Sequence, residues 1–387
     1  MTHPPSASAV SAGLLAAFVG FASSFAVILQ GLTAVGASKA EAASGLMALS
    51  VAMGVCGIVL SLRTKMPISV AWSTPGAALL ATSALPAGGF PAAVGAFVVA
   101  AALVVAAGLL RPLGRAIAAI PASLASAMLA GVVFGLCLAP VKAIAADPLS
   151  GLLVAGSWLV MTRIRRLLAV PVAALVAGVL IVLGKGLPPA DAALLPHPIL
   201  VVPSFDATDM IGIALPLFLV TMASQNIPGL AILRVNGYAP EPGPLFRMTG
   251  LFSILSAPFG GHAVNLAAIT AAICAGDEAG PNRAARYWAA VVSGFGYIVF
   301  GLAAGLVTAF AALEPVLIQA VAGLALIGAF ASALQGAMAV VEEREAAAAT
   351  FLVTASGIAF LGISPAFWGL VAGAATLAVT HLGKAKA

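Results

Sequence analysis

Charge is what this chain has least of. Only 7% of its 387 residues are Asp, Glu, Lys or Arg, against about 25% in soluble domains, so a soluble globular fold is excluded. No polar block is long enough for a second, soluble domain, and one membrane domain is the expectation. Cysteine is scarce as well. Cys56, Cys137 and Cys274 each lie inside an apolar run without metal-ligand spacing and read as small buried hydrophobes. There is no Gly-rich phosphate loop, no metal constellation and no nucleophile–base–acid spacing, so no enzyme activity, metal or cofactor is expected. The net charge of +5 does not point to nucleic acid, because the basic residues are scattered singly over short loops.

What fills the chain instead is hydrocarbon. Hydrophobic residues make up 62% of it, and apolar runs of about 18 residues or more recur from end to end, the signature of an all-α polytopic membrane protein. Hydropathy divides it into fourteen segments: 11–34, 42–61, 67–83, 91–110, 121–139, 148–162, 167–186, 208–226, 245–257, 262–275, 284–309, 314–334, 346–361 and 365–382. The opening "MTHPPSASAVSAG" has no basic residue and no clean cleavage site, so the first segment reads as a retained helix rather than a signal peptide. With both termini in the cytoplasm, fourteen Lys and Arg fall in inside loops. Only Lys39, Lys142 and Lys185 fall outside.

The third segment, "PISVAWSTPGAALLATS", is apolar enough for a membrane yet crowded with Ser, Thr, Pro and Gly. It has an echo about 190 residues later in "PFGGHAVNLAAITAA", where "AALLA" (77–81) matches "AAITA" (267–271). Each sits third in its half, so the chain reads as two seven-segment repeats, about 11–186 and 208–382. Seven is odd, which makes the repeat inverted, the architecture of many secondary transporters.

A short extended lead followed by a half-helix points the positive end of a helix dipole into the bilayer centre. Two such leads, in segments 3 and 10, would bring two half-helix N-termini together as an anion site that needs no Lys or Arg. Ser73, Thr74, Pro75 and Gly76 open the first half-helix, with Ser/Thr suited to its cap and Pro to its first turn; Ala263, Val264 and Asn265 open the second. Gln225 and Asn226 end the eighth segment just before Pro228, where they either read a ligand oxygen or join helices. His262 either carries a proton, donates to a carboxylate, or sits neutral against a backbone carbonyl. Trp72 stacks on a ring or simply packs; Phe21, Phe25 and Phe259 are weaker candidates of the same kind, and Gln30 and Gln335 are further polar residues at depth.

At "SVAWSTPGAALLA", "MASQNIPGLAIL" and "GGHAVNLAAITAAICAG" the chain resembles the benzoate:proton symporter family of bacteria, over its whole length. That family is similar in turn to the nucleobase–ascorbate and the sulfate and bicarbonate transporters. The resemblance implies a core domain (segments 1–4 and 8–11, about 11–110 and 208–309) and a gate domain (segments 5–7 and 12–14, about 121–186 and 314–382). It also implies elevator-like movement of the core and, as in relatives, a homodimer through the gate. Nucleobase relatives usually carry a carboxylate where this chain has Gln225, which suits an anionic cargo and leaves His262 or the substrate to carry the proton. The expectation is proton-coupled symport of benzoate or a similar aromatic carboxylate across a bacterial-type inner membrane. The carboxylate would lie between Thr74–Gly76 and Val264–Asn265, helped by Ser73, Gln225 and His262, with the ring on Trp72. A nucleobase or inorganic-anion carrier, or an uncoupled anion channel, remains the alternative.

Overall fold

The computed structural model describes residues 4–110, 121–188, 196–360 and 363–384. Among these, eight helical stretches are long and apolar enough to cross a bilayer, since about 20 residues at 1.5 Å each span the hydrocarbon layer. The first stretch is two helices, α1 (Ala7–Ala22) and α2 (Phe25–Ala34). They part at Ser23 and Ser24, where the Ser24 hydroxyl donates back to the Gly20 carbonyl at 3.0 Å and competes with the helical ladder. Helix α3 (Lys39–Thr64) starts on a reciprocal cap: Glu41 N–H donates to Ser38 Oγ, and Ser38 N–H to the Glu41 carboxylate.

Strand β1 (Val70–Trp72), the half-helix α4 (Thr74–Ala81) and α5 (Gly89–Leu109) follow. Then come α6 (Ala122–Cys137), α7 (Ala139–Ala146), α8 (Pro148–Ile164) and α9 (Ala169–Lys185). The second half opens on α10, a helical stretch over Ala207–Val235, and α11 (Pro242–Ser256). Strand β2 (Val264–Leu266) leads to the half-helix α12 (Ile269–Ala275). The chain finishes through α13 (Tyr287–Leu302), α14 (Ala304–Leu313), α15 (Pro315–Ala337), α16 (Arg344–Ala355) and α17 (Pro365–Lys384).

Helix α10 corrects one expectation. It does not end at Asn226 but runs through Pro228 to Val235. Two π-helical stretches, Met210–Ala214 and Met222–Asn226, stand just ahead of Pro216 and Pro228. Proline lacks an N–H and its ring crowds the carbonyl four residues back; the wider π turn absorbs both defects without breaking the helix.

The short extended leads expected before the two half-helices are present as strands. Strands β1 and β2 pair antiparallel, Val70 with Leu266, Ala71 with Asn265 and Trp72 with Val264. The ladder is extended by Ser73 N–H to the Ala263 carbonyl and Ala267 N–H to the Ser69 carbonyl, both 3.0 Å. Where no water reaches, each unpaired backbone group costs several kcal/mol, and the crossing removes that cost. Two corrections come with it. Val264 and Asn265 lie on a strand, and the second half-helix opens only at Ile269. The two paired strands begin at Val70 and Val264, 194 residues apart rather than about 190. An alanine-rich stretch matches itself equally well one helical turn away, so the sequence match slid by that turn.

Helices α3 and α13 touch through glycine. A Cβ on Gly294 would sit 2.6 Å from the Gly54 carbonyl, and one on Gly54 would sit 2.5 Å from the Gly294 carbonyl. Small residues of this kind let membrane helices approach backbone to backbone. Gly294→Leu is expected to cost about 1–3 kcal/mol by overpacking, read as a lower melting temperature in detergent. An unchanged melting temperature would mean that the helices do not meet there in solution.

Candidate functional site

The head of α4 shows why Ser-Thr-Pro-Gly belongs at this depth. Ser73 caps the helix, its Oγ accepting from Gly76 N–H at 3.1 Å. The same Oγ accepts from the Thr221 hydroxyl on α10 at 3.0 Å. Both lone pairs of Ser73 are then engaged, and its own O–H has no acceptor among the described residues. Thr74 N–H, in the first turn, likewise has no partner among them, and Pro75 has no N–H to satisfy. Gly76 carries no side chain because a Cβ there would meet Leu217 Cδ1 at 2.6 Å. Two unengaged donors at the positive end of a dipole suit an anion.

The second half-helix does not mirror this head. Helix α12 has seven residues and no side-chain cap, and Ile269 at its start is 67% exposed. The capped, buried head seen on α4 has no counterpart on α12.

His262 lies beside that head. It is 1% exposed, and its Nε2 is 2.8 Å from the Ser73 carbonyl. A carbonyl only accepts, so Nε2 carries the hydrogen and the neutral ring turns a bare lone pair out at Nδ1. Nδ1 is buried without a partner. Phe97 of α5 meets the ring edge-on at 6.3 Å. Asn265 spends its amide N–H on the Leu266 carbonyl at 2.8 Å and leaves Oδ1 buried and unpartnered.

Asn226, fully buried, takes the joining role. Its Oδ1 accepts from Leu266 N–H at 2.9 Å and its Nδ2 lies 3.2 Å from Met222 Sδ. Helix α10 thus grips both leads, Thr221 at Ser73 and Asn226 at Leu266. Gln225 and Thr74 are half-buried, and Gln225 makes no hydrogen bond to a described residue. Ala263 and Val264 contribute backbone: the Ala263 carbonyl accepts from Ser73 N–H, and Val264 N–H donates to Ser253 Oγ at 2.8 Å.

Trp72 is held from the other side. Its indole N–H donates to Ser24 Oγ at 2.8 Å, at the break between α1 and α2. Phe21 stands 5.4 Å from Trp72, 5.2 Å from Phe300 and 6.0 Å from Phe25. Phe21, Phe25 and Phe300 also line an open apolar groove of about 540 Å³ whose other side is α9. Phe259 faces another cavity, between α3 and α11. Gln30 is half-buried on α2 and Gln335 is exposed on α15, both outside the cluster.

Sequence reading missed Thr221, Ser24 and Ser253, and with them the Ser69–Thr270 hydroxyl pair at 2.8 Å. A usable signal was present: Thr221 stands four residues before Gln225, and Thr249 four before Ser253, one helical turn in each case.

Crossed leads buried in a polytopic helical protein, with donors unspent at one half-helix, define a membrane transporter rather than an enzyme. Comparison with known proteins agrees. The family described as benzoate membrane transport protein matches residues 3–379, and the chain belongs to that family. It is 41% identical over 377 residues to inner membrane protein YdcO of Escherichia coli K12, covering 96% of this chain and 95% of that one. It is 34% identical over 371 residues to the benzoate membrane transport protein of Acinetobacter baylyi, covering 95% and 94%. Among solved structures, the transmembrane domain of the cyanobacterial bicarbonate transporter BicA superposes with a TM-score of 0.62 at 16% identity, over 95% of this chain and 97% of that one. SLC26A9 does so with 0.63 at 14% identity, over 97% and 65%. These two likenesses concern the fold alone.

Proposed function

We propose that this chain takes up benzoate or a similar aromatic carboxylate together with a proton across the inner membrane. The observation that carries the reading is the head of α4: an unspent Ser73 hydroxyl and Thr74 N–H, bonded through Ser73 to a protonatable His262. The carboxylate sits on those donors, in the first turn of Thr74, Pro75 and Gly76. Its ring rests on Trp72 and Phe21, and Gln225 and Asn265 lie at its flanks. Family membership and likeness to the Acinetobacter baylyi benzoate membrane transport protein support the cargo, and likeness to an Escherichia coli inner membrane protein supports the membrane.

Fourteen segments in two inverted halves carry this site. The repeated unit of strand then half-helix, run antiparallel in β1–α4 and β2–α12, supports the inversion. The core (α1 to α5 and α10 to α14) moves against the gate (α6 to α9 and α15 to α17) and carries the bound anion with it. Both termini face the cytoplasm, an orientation that the distribution of Lys and Arg supports.

Purified protein in proteoliposomes is expected to accumulate labelled benzoate under an inward proton gradient. One proton per carboxylate supports about tenfold accumulation per pH unit, about 1.4 kcal/mol. No accumulation, or displacement of label by sulfate or uracil better than by benzoate, overturns the cargo assignment.

A further inference from the structure

We infer that the turn joining α8 to α9 binds the headgroup of an anionic phospholipid through Arg163, Arg165 and Arg166. Nowhere else in the chain do three basic residues fall within four positions. The turn that carries them is closed by its own main chain. Arg165 N–H donates to the Met161 carbonyl at 2.8 Å where α8 ends. Leu168 N–H donates to the Arg165 carbonyl at 2.9 Å across a single 3-10 turn, Arg166–Leu168. Three exposed arginines are thereby kept together on one short loop.

No described residue neutralises them. Helices α7, α8, α9 and α15 pack together and carry no Asp or Glu. The two ion pairs among the described residues, Lys185–Glu314 and Arg286–Asp277, lie elsewhere. Arg283, Arg286 and Arg344 donate to the main-chain carbonyls of Asn236, Gly280 and Met338, whereas the three arginines of the turn donate to no described residue. The negative end of the α8 dipole accounts for one of them, Arg163 in the last turn. Membrane orientation calls for a basic loop here, and the other such loops meet that need with one or two residues. The second observation is what surrounds the charge. Leu159, Val160 and Ile164 of α8 are 64%, 58% and 67% exposed, and Leu167 is exposed in the turn itself. A soluble anion leaves that hydrocarbon uncovered. A phospholipid covers both parts, laying acyl chains along α8 while its phosphate oxygens meet the planar fork of an arginine.

Purified protein in a neutral detergent tests this without the reorientation that altered loop charge causes in a bilayer. Short-chain phosphatidylglycerol is expected to raise the melting temperature saturably, while short-chain phosphatidylcholine and glycerol phosphate leave it unchanged. A basic residue near an anionic lipid surface contributes about fivefold in affinity. Arg163→Gln, Arg165→Gln and Arg166→Gln together should therefore raise the half-saturating concentration by about a hundredfold. Arg234→Gln, at an exposed arginine outside the turn, should leave it where it was. Should the triple variant fail to fold, Arg165→Gln and Arg166→Gln singly are expected to shift the midpoint about fivefold each, in the same direction. Equal stabilisation by phosphatidylcholine overturns the inference, because hydrocarbon alone then suffices. Stabilisation by glycerol phosphate at the same concentrations also overturns it, since the turn is then a site for soluble anions. A wild-type midpoint in the triple variant, or in both single variants, places the lipid elsewhere and overturns it too.

Discussion

His262→Gln is expected to abolish proton-driven accumulation while leaving exchange of labelled for unlabelled substrate intact. The amide of Gln can still donate to the Ser73 carbonyl, which His262 Nε2 reaches at 2.8 Å, so the head of α4 keeps its shape. What is lost is Nδ1, a buried lone pair with no partner that can receive a proton. Protonation there places a positive charge on the residue bonded to Ser73, where the carboxylate arrives, and the two charges compensate one another away from water. No charged side chain lies on α4 or α5, and those carried by the neighbouring α3 and α11 are Lys39, Glu41, Arg63 and Arg247. Of these, Glu41 is occupied by Ser38 N–H. Accumulation should fall from about tenfold per pH unit to none, with counterflow within severalfold of wild type. Undiminished accumulation with the same pH dependence would clear His262 and put the proton on the substrate.

Asn226→Leu should be the more damaging change to the fold. Asn226 Oδ1 is the partner of Leu266 N–H, and the side chain is fully buried. Leucine has a similar volume but no acceptor, and an orphaned buried N–H costs about 1–3 kcal/mol. Uptake is expected to drop to background with a clear loss of thermal stability in detergent. Thr221→Val gives the internal comparison. It removes one bond to Ser73, yet Ser73 Oγ keeps Gly76 N–H, so about 1 kcal/mol is at stake. If Asn226→Leu is no worse than Thr221→Val, the grip of α10 on β2 does not hold the lead in place.

Much of this was legible in residues 67–83. Ser73, Thr74, Pro75 and Gly76 announced a capped half-helix, because Ser caps, Pro pre-sets the first turn and Gly admits a close neighbour. The second lead was harder to read. "GGHAVNLAAITAA" contains no capping residue at Ala268, so nothing in it marks where strand gives way to helix, and the boundary was set four to six residues early, at Ala263–Asn265. Pro228 misled for a related reason, since the π turn that rescues a proline has no sequence signature of its own. Asn226 was weighed as either ligand contact or joint. Only the Leu266 N–H opposite it, 40 residues away, gives it the second role.

The ladder between β1 and β2 is made of main-chain atoms, and the groups that brace it, Thr221, Asn226 and Ser253, come from neighbouring helices. The crossing is thus indifferent to most side chains it displays. Ala71, half-buried opposite Asn265, can be exchanged without removing a rung. A descendant of this chain could acquire a new cargo by altering such positions one at a time, passing through intermediates that still fold.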